Sequence, residues 1–178
     1  GFNPRPRMNF AAPLPVGCGA QADLLDVWLE HDTESPNIYT ALENKVPKDM
    51  HILDVTPVDP NEPTLAERLE SAEYIVWVDG LTKKEITSRI KEILAKEIIL
   101  RPRRGKKYRG QTYDIRPLIL DLASKSEATH ASHVIWMHLR ARPGATGRPD
   151  EVLKAMDISD SLRRCYRQQL HLATNAIT

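Results

Sequence analysis

Cysteine is scarce in this chain. Only Cys18 and Cys165 occur among 178 residues, too few for a disulfide framework or for a three-cysteine iron–sulfur motif within it. They read as two separate thiols. Long hydrophobic runs are also missing: none approaches the roughly 20 residues of a membrane span, and no signal-peptide pattern opens the sequence. No membrane partner and a cytoplasmic location are therefore expected. The glycine spacings of a P-loop and of a dinucleotide fingerprint are absent, as is a nucleophile-elbow sequence. Nucleotide hydrolysis and Ser-His-Asp hydrolysis thus have no support, and no cofactor is expected.

What is present is the composition of an ordinary globular protein, 41% hydrophobic and 28% charged, which argues against wholesale disorder. At 178 residues the chain could be one domain or two small ones, and a body of this size buries roughly 70% of its unfolded surface. The net charge of +1 conceals an asymmetry: residues 1–72 carry five Lys/Arg against twelve Asp/Glu, and residues 73–178 carry twenty against twelve. A polyanion would meet mainly the second half.

Hydrophobic periodicity and turn residues divide the chain. Met8–Ala11 and Ala22–Leu29 read as strands around a Pro13–Gly19 turn. Ser35-Pro36 starts a helix, with Ser35 as its cap, that runs to about Val46, and Met50–Val58 reads as a strand. Pro57, Pro60 and Pro63 punctuate a connector with a short helix at Thr64–Ser71. Tyr74–Val78 is a strongly β-prone run. Thr82 then caps a helix whose Ile86, Ile90, Ile93 and Leu94 share one face. Ile98–Arg104 and Lys107–Ile115 flank Gly105 as a hairpin, His133–Arg142 and Leu162–Leu172 are strands, and Arg148-Pro149-Asp150 starts a helix to about Met156.

The second half is thus strand, helix, two or three strands, helix, strand, the split βαβ pattern of ferredoxin-like folds. The first half matches the same plan without its first strand and helix, and the opening at Gly1 leads us to expect that such a pair precedes it. The expected fold is α+β, with two ferredoxin-like lobes whose antiparallel sheets are covered on one face. The incomplete lobe is residues 1–58, the connector 59–72 and the second lobe 73–178.

The strongest local signal is Arg101-Pro-Arg103-Arg104-Gly-Lys106-Lys107-Tyr108-Arg109, six cations in nine residues with no acid between Glu97 and Asp114. Guanidinium forks and ammonium groups contact phosphate, and Tyr108 and Tyr113 offer rings for stacking on bases. The bland alternative is a hairpin that uses charge to keep its edges from aggregating. Arg5 and Arg7, in a proline-stiffened segment, are a second candidate anion contact. Arg140, Arg142 and Arg148 form a third, because a Gly- and Arg-rich loop entering a helix sets backbone N–H groups beside guanidiniums. Asp114 and Arg116 share a strand face and read as a turn anchor. His133 and His138 point to opposite faces of a strand and, with His130, make a poor metal set. Trp28, Trp77 and Trp136 lie in strands and read as core.

Several of these segments also carry a resemblance. Gly1-Phe-Asn-Pro-Arg-Pro-Arg-Met-Asn-Phe-Ala-Ala-Pro-Leu-Pro-Val-Gly17, Asp23–Val27, Ala72-Glu73-Tyr74, Tyr113–Ile119, Arg140–Gly144 and Arg148–Leu153 together resemble the radical SAM-linked bacterial family of unknown function. The matches follow that family's order along nearly the whole chain. Similar domains occur alone or fused behind a cobalamin-binding radical SAM enzyme, often encoded near ribosomal-protein and ribonuclease E/G genes. The resemblance implies an accessory role in RNA modification or processing, with RNA and a radical SAM enzyme as partners. The family has no established catalytic residues to carry over. Two other functions stand beside it: a stand-alone RNA-processing or RNA-modifying enzyme using His130 or His171, and a protein-docking scaffold, with a homo-oligomer left open.

Overall fold

A computed structural model describes residues 7–125 and 133–173. In chain order the first half contains β1 (Met8–Phe10), β2 (Cys18–Ala20), β3 (Leu25–Val27), α1 (Ser35–Glu43) and α2 (Leu65–Arg68). Then come β4 (Leu69–Val78), α3 (Lys83–Ala95), β5 (Leu100–Pro102), β6 (Thr112–Asp114) and β7 (Ile119–Lys125). The chain continues with β8 (His133–Arg142), β9 (Ala145–Thr146), α4 (Pro149–Ala155) and β10 (Leu162–Leu172). Short 3-10 turns lie at Lys106–Tyr108, Arg116–Leu118 and Ser159–Ser161.

Period-two alternation organises the main sheet. In β4 the side chains of Ala72, Tyr74, Val76 and Val78 are buried, whereas Glu73, Ile75 and Trp77 are half-buried on the other face. In β8, Ile135, Met137, Leu139 and Ala141 are buried, and Trp136, His138 and Arg140 are half-buried. The buried sets join Ile86, Ile90 and Ile93 of α3 and Val152 and Leu153 of α4 in one core. The helices therefore cover one face. The strand order is β2-β10-β4-β8-β7, with β9 added to β8. Each neighbouring pair from β10 to β7 is antiparallel, and β2 joins the β10 edge in parallel. The described residues form a mixed α+β structure with several antiparallel sheets and four helices.

Thr82 starts α3 with a reciprocal capping box, Thr82 Oγ1 accepting from the Glu85 amide at 3.3 Å and the Glu85 carboxylate accepting from the Thr82 amide at 2.7 Å. Thr64 and Glu67 do the same for α2. That helix is only four residues long, because Leu69 already belongs to β4.

Four expectations are corrected. Met50–Val58 forms no strand: Met50, Leu53 and Val58 are exposed, so no partner surface converts its β propensity into pairing. Cys18 and Gly19, expected to close the Pro13–Gly19 turn, instead form β2 with Ala20, recruited by the free edge of β10. The cap of α1 is Glu34, with Ser35-Pro36 inside the first turn. Cys18 and Cys165 are not separate thiols: they stand opposite each other in the β2–β10 register, their Cα atoms 4.7 Å apart, and form a disulfide across 147 residues of sequence.

One further link ties the first half to the sheet. Arg167, with 1% of its surface exposed, donates from Nε and Nη2 to the two Asp23 carboxylate oxygens at 2.8 and 2.7 Å, and from Nη1 and Nη2 to the carbonyls of Pro13 and Ala12 at 3.1 and 3.0 Å. Burial opposes its charge, and Asp23 more than restores it.

Candidate functional site

The basic hairpin is shorter and more bent than its sequence implies. β5 and β6 pair only from Leu100↔Asp114 to Pro102↔Thr112, extended by one bond at each end: the Arg103 amide donates to the Gln111 carbonyl at 2.8 Å and the Ile115 amide to the Ile99 carbonyl at 2.9 Å. Pro102 donates no ladder bond, and Gly105 at φ +100° turns the chain into the 3-10 turn bearing Lys106 and Lys107.

Two of its six cations look inward. Arg101 Nε donates to Glu151 Oε2 at 3.0 Å, and Arg104 Nη2 donates to Glu151 Oε1 at 2.6 Å and to Asp150. Lys154 adds a third cation to Glu151 at 3.3 Å. Burial pushes the Glu151 carboxyl up, but the hydrogen bonds from Arg104, Arg101 and Lys154 prevail and hold it down at about 2. Arg101 and Arg104 thus fasten the hairpin to the first turn of α4.

The other four have a different setting. Arg103 lies over the rings of Tyr108 and Tyr113, 5.4 and 5.9 Å from their centroids, and Lys107 lies 5.8 Å from the Tyr108 ring. Arg103, Lys106, Lys107 and Arg109 make no ion pair among the described residues. Burial and the Glu151 charge raise the Tyr113 phenol, so it is neutral at physiological pH.

The hairpin forms one wall of an open concavity of about 610 Å³. Arg103, Arg104, Tyr108 and Tyr113 line that side, while Gly144, Thr146 and Arg148 line the other. The second wall is the β8–β9 turn, closed by the Ala141↔Thr146 register and by the Gly147 amide donating to the Arg140 carbonyl at 2.7 Å. Two segments about forty residues apart in sequence therefore face each other across one cavity. Arg148 reaches Asp150 at 3.3 Å and remains 40% exposed.

The remaining expected residues are dispersed. Arg142 pairs with Glu70 at 2.6 Å, and Arg140 sits on the half-buried face of β8 opposite Ser71. Arg7 lies 4.1 Å over the Trp28 ring, beside the β1–β3 ribbon. Arg5 and His130 lie outside the described residues. Asp114 and Arg116 are structural: Asp114 Oδ1 accepts from the amides of Ile99 and Arg116 at 2.7 and 2.9 Å, while the Arg116 guanidinium donates to the carbonyls of Lys96, Ile119 and Leu94 at 3.0 Å each. None of the three tryptophans joins the buried core. Trp77 and Trp136 occupy the sheet face that the helices do not cover, because each shares the strand parity of Glu73 and His138.

Two clusters have no signal at the level of local sequence. Glu151 is recognisable as an acid in a helix's first turn, but not as the clamp of a hairpin 47 to 50 residues away. On the uncovered face, Glu73 accepts from Trp136 Nε1 at 2.7 Å and from His171 Nε2 at 2.8 Å, His138 Nε2 bonds Ser71 Oγ at 2.8 Å, and the two imidazoles lie 5.2 Å apart. Burial works against the Glu73 charge, yet the Trp136 and His171 bonds hold its carboxyl below the usual range. Among the described residues no group of His, Cys, Asp and Glu is arranged to hold a metal ion, and no helix is long and apolar enough to cross a membrane.

Fold and site together define an α+β protein with a cation- and tyrosine-walled concavity beside its main sheet. Residues 1–149 match the family described as "uncharacterized protein conserved in bacteria (DUF2344)", and the chain belongs to that family. The matched span contains both walls of the concavity and stops at the first residue of α4. The chain matches no curated protein and no solved structure.

Proposed function

We propose that this protein is a non-catalytic RNA-binding or substrate-presenting module serving a radical SAM RNA-modification system in the cytoplasm. The observation that carries the RNA reading is the convergence of Arg103, Tyr108 and Tyr113 with Arg148 around one open concavity. Guanidinium and ammonium groups suit phosphates, rings suit unpaired bases, and a wide mouth suits a polymer. The ferredoxin-like reading is retained for the second half. There, the β10-β4-β8-β7 order, with α3 between β4 and β7 and α4 between β8 and β10, supports it. The radical SAM link rests on the sequence resemblance.

A salt series tests the RNA reading. Four cations meeting single-stranded phosphates give a log–log slope of about −3. Replacing Arg103, Lys106, Lys107 and Arg109 by Gln should bring the slope towards zero and weaken binding to bulk tRNA and rRNA fragments. A slope near zero in the unsubstituted protein removes this reading.

A further inference from the structure

We propose that the sheet face left bare by the helices is a second contact site, a platform that stacks the unpaired bases of single-stranded RNA; this rests on the RNA reading above and adds a distinct surface to it. Cross-strand register sets Tyr166 of β10, Ile75 of β4 and Trp136 of β8 side by side on this face. Neighbouring strands lie about 4.8 Å apart, so two aromatic rings flank Ile75 on successive strands. Trp77 stands one row further along, in edge contact with Tyr166 at 6.0 Å and 80°. Aromatic rings on one face of a four-stranded sheet are a recurring way to hold two or three splayed bases.

The rings are held in place. At Gly19 of β2 an added Cβ would lie 2.6 Å from the Tyr166 ring, so only glycine lets that ring lie across the β2 backbone. Trp136 is fixed by its hydrogen bond to Glu73, which also accepts from His171, so the Glu73 carboxylate is already engaged.

Charge complements the aromatic surface. Arg164 lies 5.4 Å over the Tyr166 ring and Lys125 lies 5.4 Å over the Trp136 ring, so each of these two rings has a cation at hand for the phosphate of a stacked nucleotide. Ile75, Trp77, Tyr166 and Arg164 enclose a shallow cavity of about 410 Å³ with the exposed amides of Gln21 and Gln168 at its rim. Carboxamides carry both donors and acceptors and can bond the Watson–Crick edge of a base. Apolar walls, a π-face, edge-reading amides and a flanking guanidinium are what an unpaired nucleobase requires.

The test compares a fluorescent single-stranded uridine oligomer with an RNA duplex of equal charge, using the full chain. The unsubstituted protein should favour the single strand. Tyr166→Leu should weaken single-strand binding about tenfold, leaving duplex affinity and salt slope unchanged. Gln21→Ala combined with Gln168→Ala, both at exposed positions that folding does not need, should level the affinity ranking among the four homopolymers. If both variants bind every probe as the unsubstituted protein does, the platform is overturned. The RNA reading then stands so long as the Arg103, Lys106, Lys107 and Arg109 variant loses binding. If Tyr166→Leu fails to fold, the paired Gln variant decides alone, an unaltered ranking overturning the platform. Absence of binding to either probe overturns both proposals.

Discussion

The six cations of the hairpin look equivalent in sequence, but they divide by partner. Arg101 and Arg104 share a buried carboxylate, whereas Arg103, Lys106, Lys107 and Arg109 stand on the concavity side or at the tip. Breaking the first group leaves Glu151 charged and under-compensated in a site where its residue is only 4% exposed. Losing the second removes solvated charge and the exposed contacts of Arg103 and Lys107 with tyrosine rings, about 1 kcal/mol of stability or less. The Glu151 clamp also sets an acid limit. A carboxyl whose folded pKa lies below its unfolded value adds stability above the unfolded value and loses it as pH falls through the folded one. For Glu151 that window runs from 4.5 down to about 2. Because Arg104 is half exposed, we expect about 2 kcal/mol rather than the full linkage value. Denaturant titrations at neutral pH and at pH values inside the window should show the loss, and Glu151→Gln should flatten it. An acid limb unchanged by Glu151→Gln would mean that the clamp is not formed in solution.

At the scale of elements, β10 bears the heaviest duties. It pairs with β4 along nearly its whole length, receives β2 on its other edge, carries Arg167 to the Asp23 carboxylate and supplies Tyr166 to the uncovered face. Three register shifts along its pairing with β4 keep these side chains on their proper faces despite its length of eleven residues. The Cys18–Cys165 bond sits in the middle of this arrangement and closes a loop of 147 residues. Cys165→Ser should therefore lower stability by about 2–4 kcal/mol, read as a shift in denaturation midpoint that reductant reproduces in the unsubstituted protein. If neither treatment moves the midpoint, the two thiols do not pair in solution. A disulfide is uncommon in a reducing cytoplasm, so the same experiment bears on the proposed location.

At the scale of the molecule, acid and base are segregated: the first 72 residues hold half of the 24 acids and only five of the 25 Lys/Arg. The proposed RNA surfaces, the concavity and the uncovered face, both draw their cations from beyond residue 100. We propose the acidic portion as the surface that meets the protein partner. Co-purification with the radical SAM enzyme should then survive nuclease treatment and weaken with salt. Loss on nuclease alone would identify RNA as the bridge, and absence of any association would remove the accessory role.

The strands and helices of the second half were legible because their signals are local. Alternation in Tyr74–Val78, the β-prone run His133–Arg142, the Thr82 cap and the Ile86, Ile90, Ile93 spacing are each carried within a single strand or helix. The density of cations at 101–109 was equally plain. Other features depended on which strand became whose neighbour. Met50–Val58 had the composition of a strand and found no edge to join. Cys18 met Cys165, and Glu151 met Arg101 and Arg104, only through tertiary pairing. Trp77, Trp136 and Tyr166 had the hydrophobicity of core residues, yet the helices cover only the opposite face of the sheet. By itself the sequence determined the main strands and helices of the second half and where positive charge would gather. The tertiary structure alone decided which of those charges are spent on internal carboxylates and which aromatic rings remain at the surface, because both depend on contacts between segments whose separation in sequence carries no local periodicity.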